Sequence, residues 1–97
     1  MLGWMDAADI IVPAYNEAPR IATVLDVVTR VPDARVLVVD NGSSDGTADI
    51  ARRFPSVRVL RLSPNRGKGG AMLEAVRATT SPIVVFDDAH FMRLALR

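Results

Sequence analysis

The chain has 97 residues and a mass of 10.5 kDa, which leaves room for one small domain, residues 1–97, with a single core. Twelve Lys and Arg stand against eleven Asp and Glu, a net charge of +1, too even a balance for a dedicated nucleic-acid binder. With no cysteine there are no disulfides, thiolate nucleophiles or Cys-based zinc sites, and the single histidine, His90, leaves no spare imidazole for His-pair metal sites or Ser-His chemistry.

Two kinds of segment alternate along the chain. Ile10-Ile11-Val12 is a short apolar run that predicts a buried strand. From Asn16 the apolar residues Ile21, Val24, Leu25 and Val28 fall at i, i+3, i+4 and i+7, one face of a helix with Asn16 as a predicted N-cap. Val36–Val39 predicts a second, β-branched strand between the turn residues Pro32-Asp33 and Asn41-Gly42. A second helix is predicted to open near Ser44 or Asp45 and to stop at Pro55. Val57–Leu62 is strand three, in which Arg58 and Arg61 interrupt the apolar residues and point to an exposed face or an edge position. A third helix follows the glycines Gly67, Gly69 and Gly70, with Met72, Ala75, Val76 and Thr79 on one stripe, and Ile83–Phe86 is strand four.

Strands separated by helices cannot pair as hairpins, so this order predicts an α/β fold with a parallel sheet of about four strands, right-handed connections and helices on both faces. The longest apolar runs span only a few residues, against about 20 for a membrane helix. Residues 1–9 lack a basic stretch followed by a long apolar one. The expectation is a cytoplasmic protein with no membrane segment in this chain.

In open parallel sheets, ligands bind beyond the carboxyl ends of the strands. The polar residues of this chain collect there: Pro13–Glu17, Asp40–Thr47, Ser63–Gly70 and Asp87–His90. Each cluster has two readings. Asn41-Gly42, Ser44 and Asp45-Gly46 serve equally as turn and cap residues. Residues 65–70 make either an ordinary tight loop or a phosphate cradle of backbone N–H groups, Lys68 and a helix N-terminus. Asp87 and Asp88 are either solvated carboxylates or oxygen ligands for a hard divalent cation, which His90 could reach through a ring nitrogen. A P-loop is excluded because Leu62 stands at its first glycine and Gly69 follows Lys68. A dinucleotide fingerprint is excluded because no glycine follows strand one.

Four motifs in order carry a resemblance. Ile11–Glu17 (IVPAYNE) resembles the "VPxYNE" opening of family 2 glycosyltransferases of the GT-A fold. Val38–Thr47 (VVDNGSSDGT) resembles their "VVDDGSSDGT", with Asn41 in place of the second Asp. Asn65–Ala71 (NRGKGGA) is similar to their "NxGKGGA", and Phe86–His90 to the segment ending in "DxD". The resemblance runs from about residue 10 to residue 90 and implies a sheet in order 3-2-1-4, a three-layer, truncated GT-A (Rossmann-like) domain.

The resemblance also implies a UDP- or GDP-linked sugar donor and a divalent cation, Mn²⁺ or Mg²⁺. By that match Pro13, Tyr15 and Glu17 line the base and ribose pocket, and Asp40 accepts a hydrogen bond from the base. Gly67 and Lys68 approach the ribose and phosphates, Asp88 faces the ribose or the metal, and His90 stands where the last Asp of DxD is usual. An imidazole contributes one nitrogen and no negative charge, which favours Mn²⁺ over Mg²⁺.

Residues 91–97 do not resemble the family's continuation, and no candidate catalytic base follows His90. The expectation is the donor-binding half of a transferase that is inactive as 97 residues; the alternative is a non-catalytic nucleotide-binding or assembly module derived from one. In order 3-2-1-4, strand four would be an uncovered apolar edge, which predicts a homodimer through that edge or through the C-terminal tail.

Overall fold

The computed structural model describes residues 8–87 and the backbone of residues 90–95. Its elements are β1 (Ala8–Ala14), α1 (Ile21–Val28), β2 (Ala34–Asn41), α2 (Thr47–Ala51), β3 (Val57–Leu62), α3 (Gly67–Arg77), β4 (Ile83–Asp87) and β5 (His90–Ala95). One sheet runs in the order β3-β2-β1-β4-β5, in which the first four strands are parallel. The predicted 3-2-1-4 arrangement is therefore observed.

Strand alternation sends successive side chains to opposite faces, so the apolar runs build one core layer on each face of the sheet where a single core was expected from the length. Ile10, Val12, Val36, Val38 and Phe86 pack with Ile21, Leu25 and Val28 of α1 and Ala51 of α2. Ile11, Leu37, Val39, Leu62, Ile83 and Val85 pack with Ala71 and Ala75 of α3. Edge strand β3 is less buried than β1, β2 or β4, as its two arginines predict.

The fifth strand corrects the expectation of an uncovered edge. Residues 90–95 turn back and pair antiparallel with β4, Asp87 opposite His90 and Phe86 opposite Phe91. The N–H and C=O groups of β4 that were to recruit a second chain are satisfied within this one, which removes the basis for a dimer through strand four. The reason is local. A connection of two residues suffices for an antiparallel return, and it costs less chain entropy than recruiting a partner.

Two helix starts also move. α1 begins at Ile21 rather than near Asn16, because Asn16 has φ 51° and its side chain bonds to another loop. α2 begins at Thr47, with Asp45 taking the N–H of Thr47 two residues on. Gly69 and Gly70 lie inside the first turns of α3 rather than before it. No helix among the described residues is long and apolar enough to cross a membrane.

Candidate functional site

The carboxyl ends of β1, β2 and β4 and the first turns of α3 surround a cleft of about 290 Å³. It is lined by Pro13, Ala14, Tyr15 and Glu17 from the β1–α1 segment, Asn41 from β2, Lys68, Ala71 and Met72 from α3, and Asp87 from β4. Parallel topology causes the convergence: every strand leaves the sheet at the same end, so loops distant in sequence meet there. A second cleft, of about 380 Å³, shares Pro13, Glu17 and Asp87 and runs along α1 past Arg20 and Thr23 to Phe86.

The structure thus brings Pro13, Tyr15, Glu17 and Lys68 together, as the motifs predict. Tyr15 is more than half exposed and lines the cleft. The Glu17 carboxylate takes a two-pronged contact from Arg20, with Nη2 2.7 Å from Oε2. Lys68 sits in the first turn of an 11-residue helix, where its charge adds to the positive end of the helix dipole.

Asp40 is placed differently from the expectation. It is fully buried on the α1–α2 side of β2 and lines a separate polar cavity with Ser43, Thr47 and Arg61. Its Oδ1 takes the N–H of Ser43 at 3.0 Å. Its Oδ2 makes no hydrogen bond among the described residues and lies 3.9 Å from Nε of Arg61. The base contact expected of Asp40 does not fit this position, since neighbouring strand residues face opposite sides. Asn41, one residue on, is the β2 residue at the cleft. Gly67 is not a lining residue; its carbonyl accepts from Asn41 Nδ2. Asp88 lies outside the described residues, and of His90 only the backbone is described, opposite Asp87. Asp87, one of the carboxylates read as a cation ligand, lines the cleft, and Asn41 is the polar cleft residue to which the motifs gave no role; only strand parity, which needs the sheet, would have marked Asn41.

Beneath the cleft the β1–α1 and β2–α2 loops are stitched together. Asn16 N–H donates to Ser43 Oγ at 2.8 Å, Glu17 N–H to Thr47 Oγ1 at 3.0 Å, and Ala18 N–H to Asp45 Oδ2 at 3.1 Å. Ser44 N–H returns a bond to Asn16 Oδ1 at 2.9 Å. The Thr47 hydroxyl donates to Asp45 Oδ1, and this bond, with the N–H groups of Ala18 and Thr47, holds the Asp45 carboxyl below its ordinary pKa.

At the opposite end of the sheet, buried Asp9 is held by two arginines. Arg35 Nε donates to Oδ1 at 3.0 Å, and Arg58 Nη2 lies 3.7 Å from the same oxygen. With Arg61 beside Asp40, both arginines of edge strand β3 turn inward to a buried carboxylate.

Parallel strands in the order 3-2-1-4, with a mixed apolar and charged cleft beyond their ends, make an α/β arrangement, and the comparisons match it to the GT-A fold. The Glycosyl transferase family 2 model matches residues 9–92, and the chain belongs to that family. It is 38% identical over 86 residues to the glycosyltransferase YaiP of Escherichia coli K12, covering 84% of this chain and 22% of that one. It is 32% identical over 96 residues to mouse dolichyl-phosphate beta-glucosyltransferase, covering 82% of this chain and 30% of the relative. Among solved structures it resembles glucosyl-3-phosphoglycerate synthase of Mycobacterium tuberculosis, crystallised with Mn²⁺, UDP and phosphoglyceric acid. The TM-score there is 0.71 at 26% identity, covering 82% of this chain and 32% of that one. The chain thus spans less than a third of each of these three.

Proposed function

We propose that these residues form the donor half of a glycosyltransferase site, which takes up the nucleoside diphosphate part of a nucleotide sugar. The observation that supports this most is the convergence of Pro13, Tyr15, Glu17, Asn41, Lys68 and Asp87 on one cleft. Each group has a use there. Tyr15 offers an aromatic face and Pro13 an apolar wall for a base, while the Glu17 carboxylate accepts from ribose hydroxyls. Lys68 and the start of α3 attract the diphosphate. The structural relative with UDP and Mn²⁺ at 26% identity supports the same reading.

Asp87 is the described carboxylate that could hold a divalent cation at the cleft rim. Asp87 is a carboxylate lining both clefts, and the backbone register sets His90 opposite it. By residue type, Asp87, Asp88 and His90 would offer hard oxygens and one imidazole, suited to Mn²⁺; Asp88 and the side chain of His90 lie outside the described residues. Among the described residues no three acidic, His or Cys groups cluster. When bound, the ion offsets charge on the diphosphate leaving group.

The cleft gathers groups suited to the donor, and transfer would also need a base toward an acceptor hydroxyl. The role proposed for the described residues is therefore donor binding. Calorimetry with UDP and GDP, with and without Mn²⁺, tests the binding, and Lys68→Ala weakens it. Heat identical to buffer for both nucleotides removes the reading.

A further inference from the structure

Three successive N–H groups, at residues 16, 17 and 18, find their acceptors in side chains 27 to 30 positions away. They precede the first residue of α1, so the helix ladder offers those N–H groups no carbonyl partner. Their acceptors come from one loop: Ser43, Thr47 and Asp45. Thr47 is the hinge of the set. Its buried hydroxyl accepts from Glu17 N–H and donates to Asp45, while Asp45 uses its other oxygen on Ala18. None of the three acceptors lines the cleft, whereas Tyr15 and Glu17, carried by the stitched segment, do.

We infer that Asp45, acting with Thr47, is a positioning residue for the donor site: it sets the backbone of residues 16–18 and through it the cleft groups of Tyr15 and Glu17. This rests on reading the cleft as a nucleotide site. The direction of the bonds explains the residue types. All of Asp45's partners are donors, so only a group with two acceptor oxygens satisfies them. Asparagine would turn an N–H₂ toward one of these donors. Thr47 must accept and donate at once, which a hydroxyl does and a methyl cannot. Loosening such support moves cleft groups by a fraction of an ångström to an ångström, enough to weaken a site markedly.

The test uses the 97-residue chain, with UDP plus Mn²⁺ as the probe in calorimetry and amide exchange by NMR as the second readout. Asp45→Ala, Asp45→Asn and Thr47→Val are each expected to raise the UDP Kd by about tenfold, and to speed exchange at residues 16–18. Thr47→Ser keeps the hydroxyl and restores both. Asp49→Ala, on the exposed side of α2, leaves both unchanged. Asp45 is exposed, so its variants keep their fold and decide the matter even where Thr47→Val does not fold. If the wild-type chain binds UDP and the Asp45 variants bind it equally well, the positioning role is wrong and the nucleotide reading stands. Wild-type amides 16–18 that exchange as fast as those of the variants overturn the role as well. If the wild-type chain binds neither UDP nor GDP, the nucleotide reading falls and takes this inference with it.

Discussion

Asn41 holds the backbone of the β3–α3 loop from both sides: its Oδ1 accepts the N–H of Arg66 at 2.8 Å, and its Nδ2 donates to the carbonyl of Gly67 at 3.2 Å. Lys68 follows immediately, so the strand end that borders the cleft also places the cation that faces it. Asn41→Ala is expected to destabilise the fold by about 1–3 kcal/mol, since two backbone groups lose their partner. Asn41→Asp keeps the bond to Arg66 but sets a carboxylate against the Gly67 carbonyl. Urea denaturation gives the magnitude. Amide exchange at Arg66 should speed up in the alanine variant and not in the aspartate variant.

Gly42 and Gly46 separate two costs of replacing a glycine. Both have positive φ, 84° and 87°. A Cβ on Gly46 meets nothing within 4 Å, whereas one on Gly42 lands 2.7 Å from the backbone N of Asn65. Gly46→Ala therefore costs about 1–2 kcal/mol, the left-handed backbone alone. Gly42→Ala costs more, because the β3–α3 loop has to move. Thermal melts are expected to place Gly42→Ala the lower of the two, each kcal/mol being worth roughly 4–8 °C in a domain of this size. Equal melting temperatures would count against the close approach of residues 42 and 65.

The two arginines on Asp9 should not be equivalent. Arg35 makes a hydrogen bond at 3.0 Å, whereas Arg58 reaches 3.7 Å. Removing Arg35 leaves a buried carboxylate with its weaker partner, an expected loss of about 2–3 kcal/mol. Arg58→Ala costs less, since the shorter bond survives. Denaturant midpoints of the two variants check the order, and a larger loss from Arg58→Ala would reverse the assignment.

Acid should release the stitch at a predictable point. The folded carboxyl of Asp45 titrates below its ordinary value of 3.8, so its bonds contribute above the unfolded value and are lost as pH falls through the folded one. Exchange at Ala18, corrected for intrinsic rate, is expected to stay flat from neutral pH down to 3.8 and to rise only below it. Asp45→Asn removes that acid limb. A rise already near pH 6 in the wild-type chain would mean that another group controls the loop.

Much of this protein was legible from its residues in order. The apolar runs and helical spacings require alternating strands and helices, and helical crossovers require a parallel sheet, so the gathering of polar loops at one rim follows from residue order alone. The motif residues Pro13, Tyr15, Glu17 and Lys68 do meet there. Residue order could not decide between Asp40 and Asn41, because which of two neighbours on a strand faces the cleft depends on how the sheet sits between α1 and α3. The same limit hid the roles of Asp9, Asp45 and Thr47, whose partners are distant in sequence. It hid β5 as well: the tail is too short for a core of its own, and only the exposed edge of β4 makes it a strand. Local pattern determines elements and the end of the sheet where chemistry collects, since those follow from side-chain periodicity. Contacts between residues far apart in the chain, which choose the face, the partner and the edge, exist only once the chain has closed.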